Sequence, residues 1–130
     1  MAVTSSINYR ISDGVTSIVV TASESVGATV TVDESVATGE TNKQVTASVP
    51  SSGLKTFTIT SDQDVTIKTN SSGSPQETFT IKANKPLAWI TGGGGGQASP
   101  IAGPVTALFV TNSSGSAARI QLLAGYDPTP

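Results

Sequence analysis

Short stretches in which apolar and polar residues alternate at every second position recur along this chain, each closed off by Gly, Ser, Asn, Asp or Pro. Phe57 and Ile59 share one face of such a stretch, with Thr56, Thr58 and Thr60 on the other. Phe79 and Ile81 repeat the arrangement against Thr78, Thr80 and Lys82, as do Val45, Ala47 and Val49, and Val65 with Ile67. A period of two is the signature of a β-strand with one covered and one wet face, which belongs to antiparallel sheets. The pattern predicts strands over Ile7–Ile11, Val15–Ala22, Ala28–Val32, Lys43–Val49, Leu54–Thr60, Val65–Thr69, Glu77–Ala83, Leu87–Ile90, Val105–Thr111 and Ala118–Leu123. No stretch of about 12 residues has helical periodicity. So many short strands in 130 residues predict an all-β fold, an antiparallel β-sandwich of two packed sheets with jelly-roll-like connections.

Composition agrees with the pattern. The chain carries 19 threonines and 18 serines, and only 12% of its residues are charged. Threonine and valine favour pleated strands, while serine and glycine favour turns. At 130 residues the length predicts one domain, residues 1–130, with a single core. There is no cysteine and no histidine. That excludes a disulfide framework, a thiolate nucleophile and a Cys-ligated metal, and removes the commonest general base. A net charge of −2 with seven scattered basic residues offers no footprint for nucleic acid. No apolar window approaches the roughly 18 residues of a membrane span. The start Met1–Ser6 shows no basic segment leading into an apolar run, so no membrane partner is expected and synthesis in the cytoplasm is.

The candidate chemical sites are few. Gly92–Gly96 lacks the Lys-Ser/Thr ending and following helix of a phosphate loop, and Thr91–Pro100 is expected to be a flexible surface loop. Gly125–Pro130 is expected to be a tail outside the sheets, because proline lacks the backbone donor. Asp62 and Asp64 offer oxygens to a hard cation, but two carboxylates in a turn fall well short of a full coordination shell and also suit ordinary turn bonding. Asp33, Glu34 and Glu40 have the same standing. Nine acidic residues leave a two-carboxylate glycosidase open in principle, yet nothing singles out a pair, so no catalytic, metal or cofactor residue is assigned and no enzyme is expected. Asn70 and Asn112 match the glycosylation sequon in a serine-rich chain. They lie within two copies of Thr-Asn-Ser-Ser-Gly-Ser, at Thr69–Ser74 and Thr111–Ser116, which as turn sequences predict two hairpins. Six aromatic residues, three of them on apolar strand faces or runs, are too few for a sugar platform.

The sparse charge is itself informative, since a soluble exterior is ordinarily about 25–35% ionised and interface centres are depleted in charge. A subunit embedded in a larger assembly fits. Ala107-Leu108-Phe109-Val110 is apolar on both faces, as in a central strand covered by its own core on one side and by a neighbour on the other. With Ile101, Pro104, Tyr126 and Pro128, Leu108 marks the expected assembly interface, on the supposition that Val105–Thr111 pairs with Ala118–Leu123; Trp89 is expected in the core or else in that interface.

The segment Val105–Leu123 resembles the last hairpin of the small β-sandwich virion proteins of tailed bacteriophages, the capsid decoration or cement proteins. The resemblance implies a jelly-roll-like subunit, commonly a homotrimer, on the outer capsid surface of the virion, bridging neighbouring major capsid proteins. It carries over no catalytic residue. The competing expectation is a glycan- or receptor-binding module of a phage fibre or spike.

Overall fold

The computed structural model describes residues 3–93 and 97–128 and contains strands only. Ten are formed: β1 Val3–Ser12, β2 Ser17–Val26, β3 Ala28–Val36, β4 Lys43–Val49, β5 Leu54–Ser61, β6 Val65–Thr69, β7 Thr78–Ile81, β8 Leu87–Ile90, β9 Val105–Thr111 and β10 Ala118–Tyr126. Each overlaps a stretch that the alternation marks. The last eight form two four-stranded antiparallel sheets, in the orders β3-β10-β5-β8 and β4-β9-β6-β7, while β1 and β2 pair only with each other.

The pairings of the last eight strands are nested. β6 pairs with β7, β5 with β8, β4 with β9 and β3 with β10, so that one long doubled ribbon is rolled over on itself. The pairings β10–β5 and β9–β6 then join its turns into sheets. Of the connections after β3, only β6–β7 returns within one sheet, and every other one carries the chain across the sandwich. The expected second hairpin is therefore corrected: Thr69–Ser74 does join paired strands, but Thr111–Ser116 bridges the two sheets. For the same reason β9 does not pair with β10, and the supposition behind the expected interface fails. Local turn chemistry says that the chain reverses; it does not say which strand lies alongside.

The core lies where the inner faces meet. Phe57, Ile59, Ile120 and Leu122 from one sheet interdigitate with Val45, Ile67, Leu108 and Val110 from the other. The rings of Phe57 and Phe79 meet across the layer at 6.3 Å and a tilt of 47°, within the geometry that aromatic pairs favour. Full burial of each such side chain contributes about 1.5–3 kcal/mol.

Among the described residues buried polar side chains are few, and each is satisfied. Asn112, wholly buried at the start of the β9–β10 corner, donates from Nδ2 to the carbonyls of Val36 at 3.0 Å and Ser116 at 2.8 Å, while its Oδ1 accepts from the Ser114 N–H and hydroxyl. Its own backbone bonds Glu40 and Gly39, tying this corner to the β3–β4 loop. Replacing the side chain strands two carbonyls, and a buried unpaired group costs about 1–3 kcal/mol. Asn112→Ala is expected to lower unfolding stability by ~2 kcal/mol in urea titration without altering the fold; a loss within the error of the measurement would show that the corner is held otherwise.

Candidate functional site

The part of the molecule that does not close on itself is the β1–β2 hairpin. Its register runs from Val3↔Val26 to Ser12↔Ser17 without a break, which sorts its side chains by type. One face carries Val3, Ile7, Tyr9 and Ile11 opposite Val26, Ala22, Val20 and Ile18, interrupted only by Ser5 and Glu24. The other carries Thr4, Ser6, Asn8, Arg10 and Ser12 opposite Ser25, Ser23, Thr21, Val19 and Ser17. On that polar face the Thr21 hydroxyl donates to Asn8 Oδ1 at 2.8 Å, a cross-strand bond that holds the register.

The turn is built by Asp13. Its Oδ1 accepts from the N–H groups of Val15 at 2.9 Å and Thr16 at 2.7 Å, and Gly14 supplies the positive φ. These bonds, Thr16 first, hold the Asp13 carboxyl below its ordinary 3.8. Val15, expected to open a strand, sits instead in this turn.

The base of the arm is docked. Its apolar face lies on the outer face of the first sheet, against β5 and β8. There Val26 is buried, and Ser5 Oγ meets Thr56 Oγ1 at 3.0 Å. The approach is possible because Gly125 stands opposite. A Cβ at that position would come within 3.0 Å of a Val26 methyl and 2.8 Å of Thr56 Oγ1, which also accepts the Gly125 N–H. Beyond Ala22 a cleft of about 350 Å³ opens between the arm and β8, bordered by Tyr9, Val20, Trp89 and Ile90. Tyr9 and Val20 on its border are 46% and 51% exposed, and past it the arm is free, with Ile18 60% and Ile11 69% exposed on the apolar face. A two-stranded ribbon without a covered face is marginal in water, and contiguous exposed apolar surface marks an interaction site.

The six expected interface residues do not form one surface. Trp89, Ile101 and Leu108 fill the protein's own core, Tyr126 packs half-buried against it, and only Pro104 and Pro128 are exposed. Phe109, next to Leu108, lies half-buried on the outer face of the second sheet between Gln44 and Lys68. The expected tail from Gly125 is also corrected: Gly125 and Tyr126 belong to β10, whose ladder to β3 runs through both, and the Asp127 N–H donates to Gly53 O at 2.9 Å. Thr129 and Pro130 lie outside the described residues. Of the Thr91–Pro100 loop, Gly94, Gly95 and Gly96 lie outside them too, while the neck is closed by Gln97 N–H to Gly93 O at 3.0 Å and Trp89 Nε1–H to Gln97 O at 3.0 Å.

Three of the candidate carboxylates are spent on structure. Asp64 accepts the Ala83 N–H and faces Lys82, Asp62 accepts the Arg119 N–H, and Asp33 grips the Arg119 guanidinium through two bonds of 3.0 and 2.7 Å. Arg119 holds the Asp33 carboxyl below its ordinary range, and the Ala83 N–H does the same for Asp64. Among the described residues no three acidic side chains gather as a metal cluster would require. Asn70 Oδ1 accepts from the Thr106 N–H at 2.7 Å, and its Nδ2 donates to Pro104 O at 3.0 Å, so both sequon asparagines serve as corner braces.

Comparison with protein-family models, with curated proteins and with solved structures returns no match to this chain. The arm is the feature that alternation alone does not reveal, because Ile7 and Ile11 alternate just as Phe57 and Ile59 do. The available signal was the apolar run Ile18-Val19-Val20 beside an otherwise hydroxyl-rich tract.

Two outcomes are expected. Gly125→Val should lift the arm base, speeding amide hydrogen exchange in β1 and β2 at a cost of about 1–3 kcal/mol while β5, β9 and β10 keep their protection; unchanged exchange in the arm would refute the docking described. A carboxyl with a lowered folded pKa stabilises above its ordinary value and ceases to do so as pH falls through the lower one. In an NMR titration Asp13 should therefore have its midpoint below 3.8, with the Val15 and Thr16 amides shifting alongside it; a midpoint at or above 3.8 would show that the turn bonds are not made in solution.

Proposed function

We propose that this protein is a structural, non-catalytic assembly subunit that joins its neighbours through the β1–β2 arm, and that the assembly is the outer surface of a bacteriophage capsid. The observation that carries the reading is the uncovered apolar face of an otherwise well-formed ribbon. The nested strand pairing supports it as well, since it is compatible with the jelly-roll-like architecture that the resemblance to decoration proteins implies. So does the chemistry: four clefts on the surface each contain at most one carboxylate, an arrangement suited to contact rather than to acid–base work.

A decoration subunit needs area and not reactivity. Binding only the assembled shell, it stabilises that shell by mass action, by about 2.7 kcal/mol per site when free subunit stands at a hundredfold over Kd. Copies joined as a homotrimer would reach several major capsid proteins at once, which multiplies avidity without any new contact.

The test is sedimentation of the purified chain with undecorated capsids, followed by measurement of their disruption temperature. Bound chain and a raised disruption temperature are expected, and Ile11→Ser combined with Ile18→Ser should weaken shell binding about tenfold or more by removing the arm contact. Retention on immobilised glycans with no affinity for shells would replace this reading with that of a receptor-binding module.

A further inference from the structure

The outer face of the first sheet is only half used. The arm's base covers the side formed by β5 and β8 and leads away past β8. The other side, over β3 and the part of β10 from Arg119 to Leu123, is open. At its middle Leu123 stands 48% exposed, paired across the ladders with Thr31 of β3 and Thr58 of β5. With Thr60 and Gln121 these form a shallow trough of about 320 Å³, apolar at its centre and rimmed by hydroxyl and amide groups. The charges at its end, Asp33 and Arg119, are closed on each other at 2.7 Å.

We propose that the distal half of the arm of one copy, with Tyr9, Ile11, Ile18 and Val20, seats on the Leu123 trough of a second copy of this chain. Three observations favour that occupant. First, the same ribbon face already packs on this same sheet surface within one chain, where Val26 and Ser5 lie over Gly125 and Thr56; the trough continues that surface with the same threonine-rich chemistry. Second, the arm cannot reach the trough of its own chain, because its docked base directs it away across the opposite edge.

Third, the two patches match in kind: Ile11 and Ile18 stand 69% and 60% exposed on the arm, Leu123 stands 48% exposed in the trough, and neither centre carries an ion. A lipid surface fits less well: the arm carries a single basic residue, Arg10, on its polar face, so nothing draws it to anionic headgroups. Arm on trough is a head-to-tail contact between unlike patches, and such contacts close into rings when the rotation permits.

This deepens the assembly reading above, but its test needs no capsid. Because the chain lacks cysteine, Ile18→Cys in one preparation and Leu123→Cys in another can be mixed under mild oxidation, so that a disulfide between the two forms only across copies. The mixed pair is expected to crosslink about tenfold faster than Leu123→Cys mixed with Ser6→Cys, which places the thiol on the arm's polar face. Light scattering on the unmodified chain is expected to give a discrete multiple of the monomer mass that Ile18→Ser reduces to one. Equal crosslinking by both pairs, a monomer at high concentration, or sedimentation of the unmodified chain with phosphatidylserine vesicles that Ile18→Ser abolishes would each overturn the proposal. A monomer that still raises the disruption temperature of shells would leave the capsid reading standing and remove this contact alone; crosslinking by a chain with no shell affinity would do the reverse.

Discussion

Every strand of this protein must cover one apolar face, and the fold follows from how that requirement is met with almost no charge to assist. Eight strands meet it by facing one another across the core, where Phe57, Ile59, Ile67 and Leu108 lose essentially all contact with water. Two strands meet it by half. At its base the β1–β2 ribbon borrows the outer face of the first sheet, and the borrowed patch exists because Gly125 and Thr56 leave a shallow place for Val26. Past Tyr9 and Val20, which border the cleft against β8, the tip with Ile11 and Ile18 has nothing beneath it.

The low charge is compatible with a stable fold because the polar groups are organised by hydroxyls and amides instead. One carboxylate is the exception: Glu77 takes the Thr69 hydroxyl at 2.7 Å and the Ala102 N–H at 3.0 Å, fastening the long β8–β9 connection so that Ile101 can be buried. Asn70, Asn112 and Ser114 do comparable work at other corners. Neutral side chains of this kind satisfy buried backbone at a lower desolvation cost than ions would. The exterior that remains is rich in threonine and serine, with few charges to repel a neighbour.

Strand positions were legible in the amino-acid sequence because side-chain direction in a strand has a period of two, which the central segments carry cleanly, and because Gly, Ser, Asn, Asp or Pro closes off the short apolar runs. Pairing was not, because it depends on which faces find each other over long separations. The hexapeptide shows why. In its first copy Asn70 adopts a φ of 69° within a loop that joins paired strands; in its second Asn112 is buried in a corner between sheets. Identical local chemistry serves both. The site was hidden for a related reason: alternation marks Ile11 and Ile59 alike as one-faced, and only the fold decides that one is covered and the other bare. Trp89, Ile101 and Leu108 were apolar enough for an interface and were taken by the core. Gly125, read as the start of a tail, turned out to be the residue on which the arm rests.

An arm of this construction differs from a disordered tail in what it costs to use. A free segment must lose its backbone freedom at the moment of binding, at about 1–2 kcal/mol per residue. The ribbon has already lost it, through its ladder, through the Asp13 turn and through the docked base, so that more of the transfer energy of Tyr9, Ile11, Ile18 and Val20 remains for the contact itself. The same rigidity fixes the direction in which those side chains are offered. At the β8 edge they lie away from the Leu123 trough of their own chain, and a surface that is preorganised yet unable to satisfy itself is the physical condition for assembly in place of self-closure.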